Sequence, residues 1–253
     1  MKPLRLKAEV AKRESIRSEQ SNLVAQIQVD TGVYHLDQPY DYSIPNQLVD
    51  QVSIGIRVQV PFAGREVEGL VLNVFEGSAI GGLKPISKVI SPISVASLDL
   101  LNLILAVSQA WAANPYDLIR SAIPPRAASV EKEVWITPES RRISTKERRE
   151  FLQLPSHRNP FDALSELIGK QSVKGSQLVI VPDSRSISRL KSLNPEALVL
   201  DSSLDRTVRY RNFLQAKYST DNLVIGTRSA IFADIPDLAQ IILVDEGSEH
   251  LFE

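Results

Sequence analysis

Cysteine is absent from this 253-residue chain, and its three histidines, His35, His157 and His250, stand far apart. A disulfide framework is therefore excluded, and no tetrahedral zinc site can be assembled from ligands in this sequence. Net charge is also lacking. With 29 basic residues against 30 acidic ones, no global field draws the chain to nucleic acid, so any such binding depends on local patches. Long apolar runs are missing too. The start, MKPLRLKAEVAKRESIRSEQ, is basic and has no hydrophobic stretch, so it is neither a signal peptide nor a membrane span; residues 1–21 read as a disordered tail, with a phosphate-touching basic arm as the alternative. The expected setting is reducing and cytoplasmic.

What is present falls into two kinds of pattern, which the 43% hydrophobic content is enough to fill as two modest cores. Over 22–93 the segments LVAQIQVD, YDYSIP, IRVQVPF, VEGLVLNVF and LKPISKVI are rich in Val and Ile. They alternate in places and are cut by Gly55, Gly64, Gly81 and Gly82, which predicts a small all-β, barrel-like domain. Helical periodicity follows over 94–125. SLDLLNLILAVSQAWAA, capped by Ser97, carries apolar residues on several faces and is expected to be well buried; Asn114-Pro115 ends it before a second helix, YDLIRSAI. Residues 126–159 read as a linker containing one short strand, EVWIT, and a charge run, ESRRISTKERRE, that is either a solvated connector or a loop against a nucleic-acid backbone. Over 160–253, apolar strands SQLVIVPD, EALVLD, NLVIGT and AQIILVDE alternate with helices, predicting an α/β domain with a parallel sheet covered on both faces. The overall class is mixed. In such sheets function gathers at the carboxyl ends of the strands, here Pro182-Asp183, Asp201-Ser202, Gly226-Thr227-Arg228 and Asp245-Glu246.

Asp245-Glu246 after an apolar strand looks like the magnesium-binding and catalytic carboxylate pair of a nucleotide-driven motor. Such a motor also needs a phosphate loop, G-x-x-x-x-G-K-[ST]. The Gly169-Lys170 pair does not supply it. Leu164 stands at the first glycine, Gln171 replaces the hydroxyl, and the pair follows its helix, so Gly169 reads as a helix C-cap. No catalytic residue is expected, and Asp245 and Glu246 read as vestigial.

Several stretches, in order, resemble the primosomal protein N′ (PriA-type) replication-restart helicase family. HLDQPYDYSIP is similar to D-x-x-F-D-Y-x-x-P; IGIRVQVPFAGREVEGLVLNV resembles the following hairpin; LKPISKVI, YDLIRSAIPPR and LVIVPD resemble later segments. IGTRSAIFADIPDLAQIILVDEGSEH resembles V-G-T-R-S-A-x-F-x-P-F-x-N-L-G-L-I-V-V-D-E-E-H-D. The chain departs from the family in lacking the winged helix and phosphate loop between Pro125 and Val179, and in reading Asp-Glu-Gly-Ser for Asp-Glu-Glu-His. Both departures match the degenerate branch from high-GC Gram-positive bacteria.

The resemblance implies an N-terminal domain that captures a 3′ DNA end, followed by an incomplete, RecA-like helicase lobe at 160–253. It implies a replication-restart protein recognising stalled forks without helicase or ATPase activity. Its partners would be forked DNA with a 3′ end, single-stranded DNA, and primosome and helicase-loading proteins. No cofactor is expected in this chain. ATP and zinc follow from the family alone, with zinc ligands beyond the C-terminus. Carried over by motif, the 3′-end pocket is Tyr40, Asp41, Tyr42, Gly55 and Lys84. Asp41 can accept hydrogen bonds from a terminal hydroxyl while repelling phosphate, Gly55 permits close backbone approach, and Lys84 can pair with a phosphate. Tyr40 and Tyr42 share one strand face, where a ring is either core or a stacking surface. Thr227 and Arg228 are expected on the DNA backbone or closing the sheet. The alternatives are an active ATP-dependent 3′-5′ helicase and an interaction module that has lost its DNA contacts.

Overall fold

The computed structural model describes residues 20–33, 36, 38–77, 82–138, 148–155, 157–169 and 174–251. The expectations for the basic start, for Gly81, for most of the 139–150 charge run and for Lys170 and Gln171 lie outside these residues. The fold is mixed α/β and forms two compact units, Met1–Arg120 and Ser121–Glu253. Among the described residues no helix is long and apolar enough to cross a membrane.

The first unit is built on an antiparallel sheet of β1 (Gln20–Val29), β2 (Pro39–Pro45), β3 (Arg57–Phe62), β4 (Arg65–Glu76) and β5 (Lys88–Val89), in the order β2-β1-β4-β3-β5. Alternation decides which face is buried: Ala25, Ile27 and Val29 of β1 are fully buried and share a core with Tyr42, Ile44, Val58 and Val71. The β3–β4 hairpin turns on two residues, Ala63 (φ 47) and Gly64 (φ 80). Positive φ at both matches the right-handed strand twist, as in a type I′ turn.

LKPISKVI forms less strand than its composition suggests. Only Lys88–Val89 pairs with β3. Instead the chain before β5 turns back to the other edge of the sheet, where Ser43 N–H donates to Lys84 O and Ile86 N–H donates to Ser43 O, both at 3.0 Å. This parallel bridge between Ser43 and Pro85 ties β2 to the segment leading into β5.

Helix α1 (Leu98–Trp111) starts where Ser97 Oγ accepts from Leu100 N–H and stops at Ala112 in the left-handed conformation. Only one face of it is covered, by way of Leu100, Leu101, Ile104 and Ser108, while Trp111 is 80% exposed. The burial expected on several faces is thus corrected: apolar periodicity reports what a helix could bury, and the sheet offers one surface. Asn114 begins the next helix, α2 (Pro115–Ala122), its Oδ1 accepting from Tyr116 and Asp117 N–H, with proline at the first helical position where no N–H is needed. Arg120 closes α2 onto the sheet through Asp30 at 2.5 Å and lies over the Tyr116 ring.

EVWIT is not a strand. A 3₁₀ turn at Val130–Lys132 precedes an irregular segment, and Trp135 donates its indole N–H to Val130 O rather than joining a sheet. Glu131 is buried because Arg126 and the Tyr210 hydroxyl both reach it at 2.7 Å, which satisfies a charge that burial alone would penalise.

The second unit is a parallel sheet of β6 (Ser176–Ile180), β7 (Leu198–Leu200), β8 (Leu223–Gly226) and β9 (Leu238–Leu243), ordered β7-β8-β6-β9. Helices α3 (Pro160–Gly169) and α4 (Ser184–Leu193) pack on one face through Leu164, Ile168, Ile187 and Leu190. Helix α5 (Arg206–Tyr218) packs on the other through Ala216. Between β8 and β9 stands only a 3₁₀ helix, Arg228–Phe232. A cleft of about 730 Å³ runs along the free edge of β7 between α4 and α5, where Lys191 and Asn212 cap the carbonyls of Ala197 and Val199. Capping of this kind blocks adventitious strand addition.

Two buried carboxylates fasten the sheet. At the amino ends of the strands, Asp237 accepts from Ser176 Oγ at 2.6 Å and from Asp221 N–H at 2.8 Å. At the carboxyl ends, Asp201 accepts from Ser184 Oγ at 2.8 Å and Ser203 N–H at 2.6 Å. Burial pushes the Asp201 carboxyl up, but these hydrogen bonds and the charge of Arg209 outweigh it and hold the group below its ordinary 3.8.

Asp237→Ala is expected to lower the unfolding free energy of the second unit by about 2–3 kcal/mol, read by urea denaturation in a Trp111→Phe background that leaves Trp135 as the sole indole fluorophore. For Asp201 the sign follows from its depressed folded-state pKa. The stabilisation is complete above the ordinary value of 3.8 and drains as pH falls below it through the folded value, so Asp201→Asn should flatten the acid limb of the stability profile.

Candidate nucleic-acid interface

On β2 the strand alternation sends Tyr40 and Tyr42 to one side and Asp41 to the other. Tyr42 is only 4% exposed and donates its hydroxyl to Pro61 O; burial, with Tyr40 and Glu66 nearby, pushes its phenol up to about 12, so it stays neutral and acts as a core side chain with a polar tip. Tyr40 is half-buried. Its ring meets Phe62 edge-on at 5.0 Å and its hydroxyl donates to Leu36 O at 2.9 Å. The sequence left core and stacking roles open for these two rings. Tyr42 is now placed in the core, and Tyr40 is held against it.

Asp41 is exposed, opposite Gln26 of β1. Lys84, more than forty positions later in the sequence, is also exposed and reaches this place through the Ser43 bridge: its own carbonyl accepts the Ser43 N–H. In that parallel register Lys84 runs alongside Tyr42. Register partners point to the same face, so Lys84 follows Tyr42 while Asp41 faces the other way, and the exposed carboxylate and the exposed cation sit on adjoining segments.

Gly55 occupies φ +79, and a Cβ there would stand 2.0 Å from Ala96 O. Its N–H donates to Val71 O and its C=O accepts from Val95 N–H, each at 2.8 Å. The close approach that glycine allows is therefore made by the segment entering α1, and Gly55 positions that segment against the sheet.

In the second unit, Thr227 is half-buried at the end of β8 and Arg228 is exposed as the first residue of the 3₁₀ helix. Gly226 makes this turn possible, since a Cβ would come within 2.4 Å of the Ala230 methyl and 2.8 Å of Leu200 O. Asp245 and Glu246 are exposed beyond the end of β9, with Asp245 at φ 52. The strand does not run into the pair as the sequence suggested, because Val244 makes the last sheet bond, to Ile180 O. Leu164, at the position of a phosphate loop's first glycine, is a buried residue within α3. Among the described residues no group of three or more His, Cys, Asp or Glu is arranged to hold a metal.

Sequence reasoning missed two features. One is the Ser184–Asp201 bond linking two strand ends; the other is that Gln26 faces both Asp41 and Asn73. Alternation in AQIQV signals that Gln26 is on the polar face, but nothing local signals its neighbours.

Comparison with known proteins accords with this geometry. The sequence model of the PriA 3′ DNA-binding domain (3′BD) matches residues 26–124. The probable replication restart protein PriA of Mycobacterium tuberculosis (strain ATCC 25618 / H37Rv) is 30% identical over 252 residues, covering 88% of this chain and 38% of that protein. Its counterpart from Mycobacterium leprae (strain TN) is 28% identical over 267 residues, covering 88% and 39%. The replication restart protein PriA of Bacillus subtilis (strain 168) is 40% identical over 58 residues, 23% of this chain and 7% of that protein. The chain thus spans little more than a third of the length of the mycobacterial relatives. Its 26–124 segment is a domain of the PriA type, and the chain belongs to the PriA replication restart family, matching the N-terminal part of the mycobacterial members.

Proposed function

We propose that this chain binds DNA at a free 3′ end and serves replication restart, with the first unit as the end-binding module. The observation that carries the reading is the match of 26–124 to a 3′ DNA-binding domain; Asp41 and Lys84 are both exposed, on the two segments that the Ser43 bridge joins. Asp41 accepts the terminal hydroxyl, and Lys84 pairs with the adjacent phosphate. Tyr40 and Tyr42 frame the rim from the core side, and Gly55 holds the segment behind it. The bridge supports reading the five-stranded sheet as a small barrel. The parallel unit is a helicase-like, RecA-type lobe in which Thr227 and Arg228 follow the DNA backbone, and its natural partners are forked DNA and proteins that load the replicative helicase in the cytoplasm. No residue of this chain supplies a phosphate loop, so Asp245 and Glu246 play no part in nucleotide hydrolysis here, and the protein marks the fork without driving translocation.

Fluorescence anisotropy against a fork with a leading-strand 3′-hydroxyl and the same fork with a 3′-phosphate tests this reading. The hydroxyl end should bind more tightly, by about tenfold or more for a hydrogen bond to a carboxylate, and Asp41→Ala should abolish the difference. Equal binding to both ends by the unaltered chain would sink it. Lys84→Ala should weaken binding to all forks and lower the log–log salt slope by roughly 0.7–0.9.

A further inference from the structure

Charge is distributed unevenly along this chain. Residues 1–19 hold six basic side chains, Lys2, Arg5, Lys7, Lys12, Arg13 and Arg17, against three glutamates. Residues 20–120, the rest of the first unit, hold five basic residues against nine acidic ones, whereas residues 121–253 hold eighteen of each. The near-zero total thus conceals an acidic domain joined to a basic segment.

The folded surface sharpens the imbalance. Of the five cations over 20–120, Arg57 is committed to Glu68, and Arg120 to Asp30 and Asp117. Among the described residues this leaves Arg65, Lys84 and Lys88 exposed, against exposed Asp41, Asp50, Glu66, Glu76 and Asp99. Arg65 is further engaged by Thr31 O. A surface of this sign repels a polyanion over about a Debye length, roughly 8–10 Å. Such repulsion helps an end-binding domain to refuse continuous backbone, but it also lowers affinity for every DNA, so the attraction must come from another part of the chain.

Residues 1–19 enter the fold at Gln20, the first residue of β1, which pairs with Pro45 of β2. Asp41 pairs with Gln26 on the same two strands, about 20 Å further along. A segment of this length can span at most about 65 Å. Phosphates up to about one helical turn, roughly 34 Å, from an end held at Asp41 are therefore within its reach. Duplex DNA presents one negative charge per roughly 1.7 Å of axis, and cations spread along a segment can meet that row without any demand on base sequence.

We propose that residues 1–19 are a phosphate-binding arm that engages the duplex behind the 3′ end and supplies the affinity that the acidic first unit lacks. This rests on the 3′-end reading above and adds a second contact to it: the domain selects the end, and the arm holds the DNA through its backbone. The tether makes the arm's contact intramolecular once the end is bound, so neither part has to bind tightly alone.

The test uses the full chain, anisotropy over a range of salt, and hairpin DNAs with a recessed 3′ end, a stem of about 8 or about 20 base pairs, and a 3′-hydroxyl or a 3′-phosphate. An arm variant combines Lys2→Gln, Arg5→Gln, Lys7→Gln, Lys12→Gln, Arg13→Gln and Arg17→Gln. A control variant combines Arg141→Gln, Arg142→Gln, Lys146→Gln, Arg148→Gln and Arg149→Gln, removing nearly the same charge elsewhere. The arm variant should bind the long stem about tenfold or more weakly at moderate salt, with a log–log salt slope smaller by roughly 2–4. Its preference for the 3′-hydroxyl should persist, which also shows that the domain is still folded. The unaltered protein should favour the long stem over the short one, and the arm variant should bind both alike. An unchanged salt slope in the arm variant overturns the arm, as does an equal fall in the control variant, which would reduce the effect to net charge. Loss of the hydroxyl preference in the unaltered protein overturns the end-binding reading instead.

Discussion

The first unit depends on how one buried peptide group is satisfied. Ser43 is fully buried on a strand at the edge of the sheet, and an unpaired N–H and C=O there would cost about 1–3 kcal/mol each. The segment 84–86 supplies both partners. Pro85 fits between them because the bonds are made by its flanking residues, so its missing N–H is not needed. Three consequences follow from this pairing: an edge that could have added a foreign strand is occupied, Ile86 is drawn into the core, and Lys84 is fixed alongside Tyr42. The segments that carry Asp41 and Lys84 are thus joined by the same pairing that covers the edge.

The parallel unit solves the same problem with side chains. Its strands are held at one end by Asp237 and at the other by Asp201, each buried and each accepting more than one hydrogen bond. A carboxylate committed in this way is unavailable for a metal or a nucleophile, so the polar residues at these strand ends do structural work. Arg228, on a turn made possible by Gly226, is exposed at the end of β8, and Asp245 and Glu246 are exposed beyond β9.

Much of this organisation is legible in the chain. The alternation of AQIQV and RVQV, the cap at Ser97 and the apolar runs of the second half locate most of the strands and helices. The failures share a cause. EVWIT has strand composition but turns its indole to Val130 O and joins no sheet; LKPISKVI gives Lys84 and Ile86 to Ser43 of β2, so that only Lys88–Val89 is left to β3; the α1 helix is apolar on more faces than the sheet covers; and the strand before Asp245 ends when its neighbour β6 ends. In each case a local propensity is decided by whether a partner exists.

The alternation of β1 and β2 by itself determined that Tyr40 and Tyr42 share one face and that Asp41 and Gln26 lie on polar ones, because the side-chain period of a strand is two. It could not determine that Gln26 lies between Asp41 and Asn73, that Lys84 runs alongside Tyr42, or that the space beside Gly55 is taken by Ala96. Those depend on register and on loop closure across long stretches of sequence, and a shift of one residue in register would have sent every one of these side chains to the opposite face.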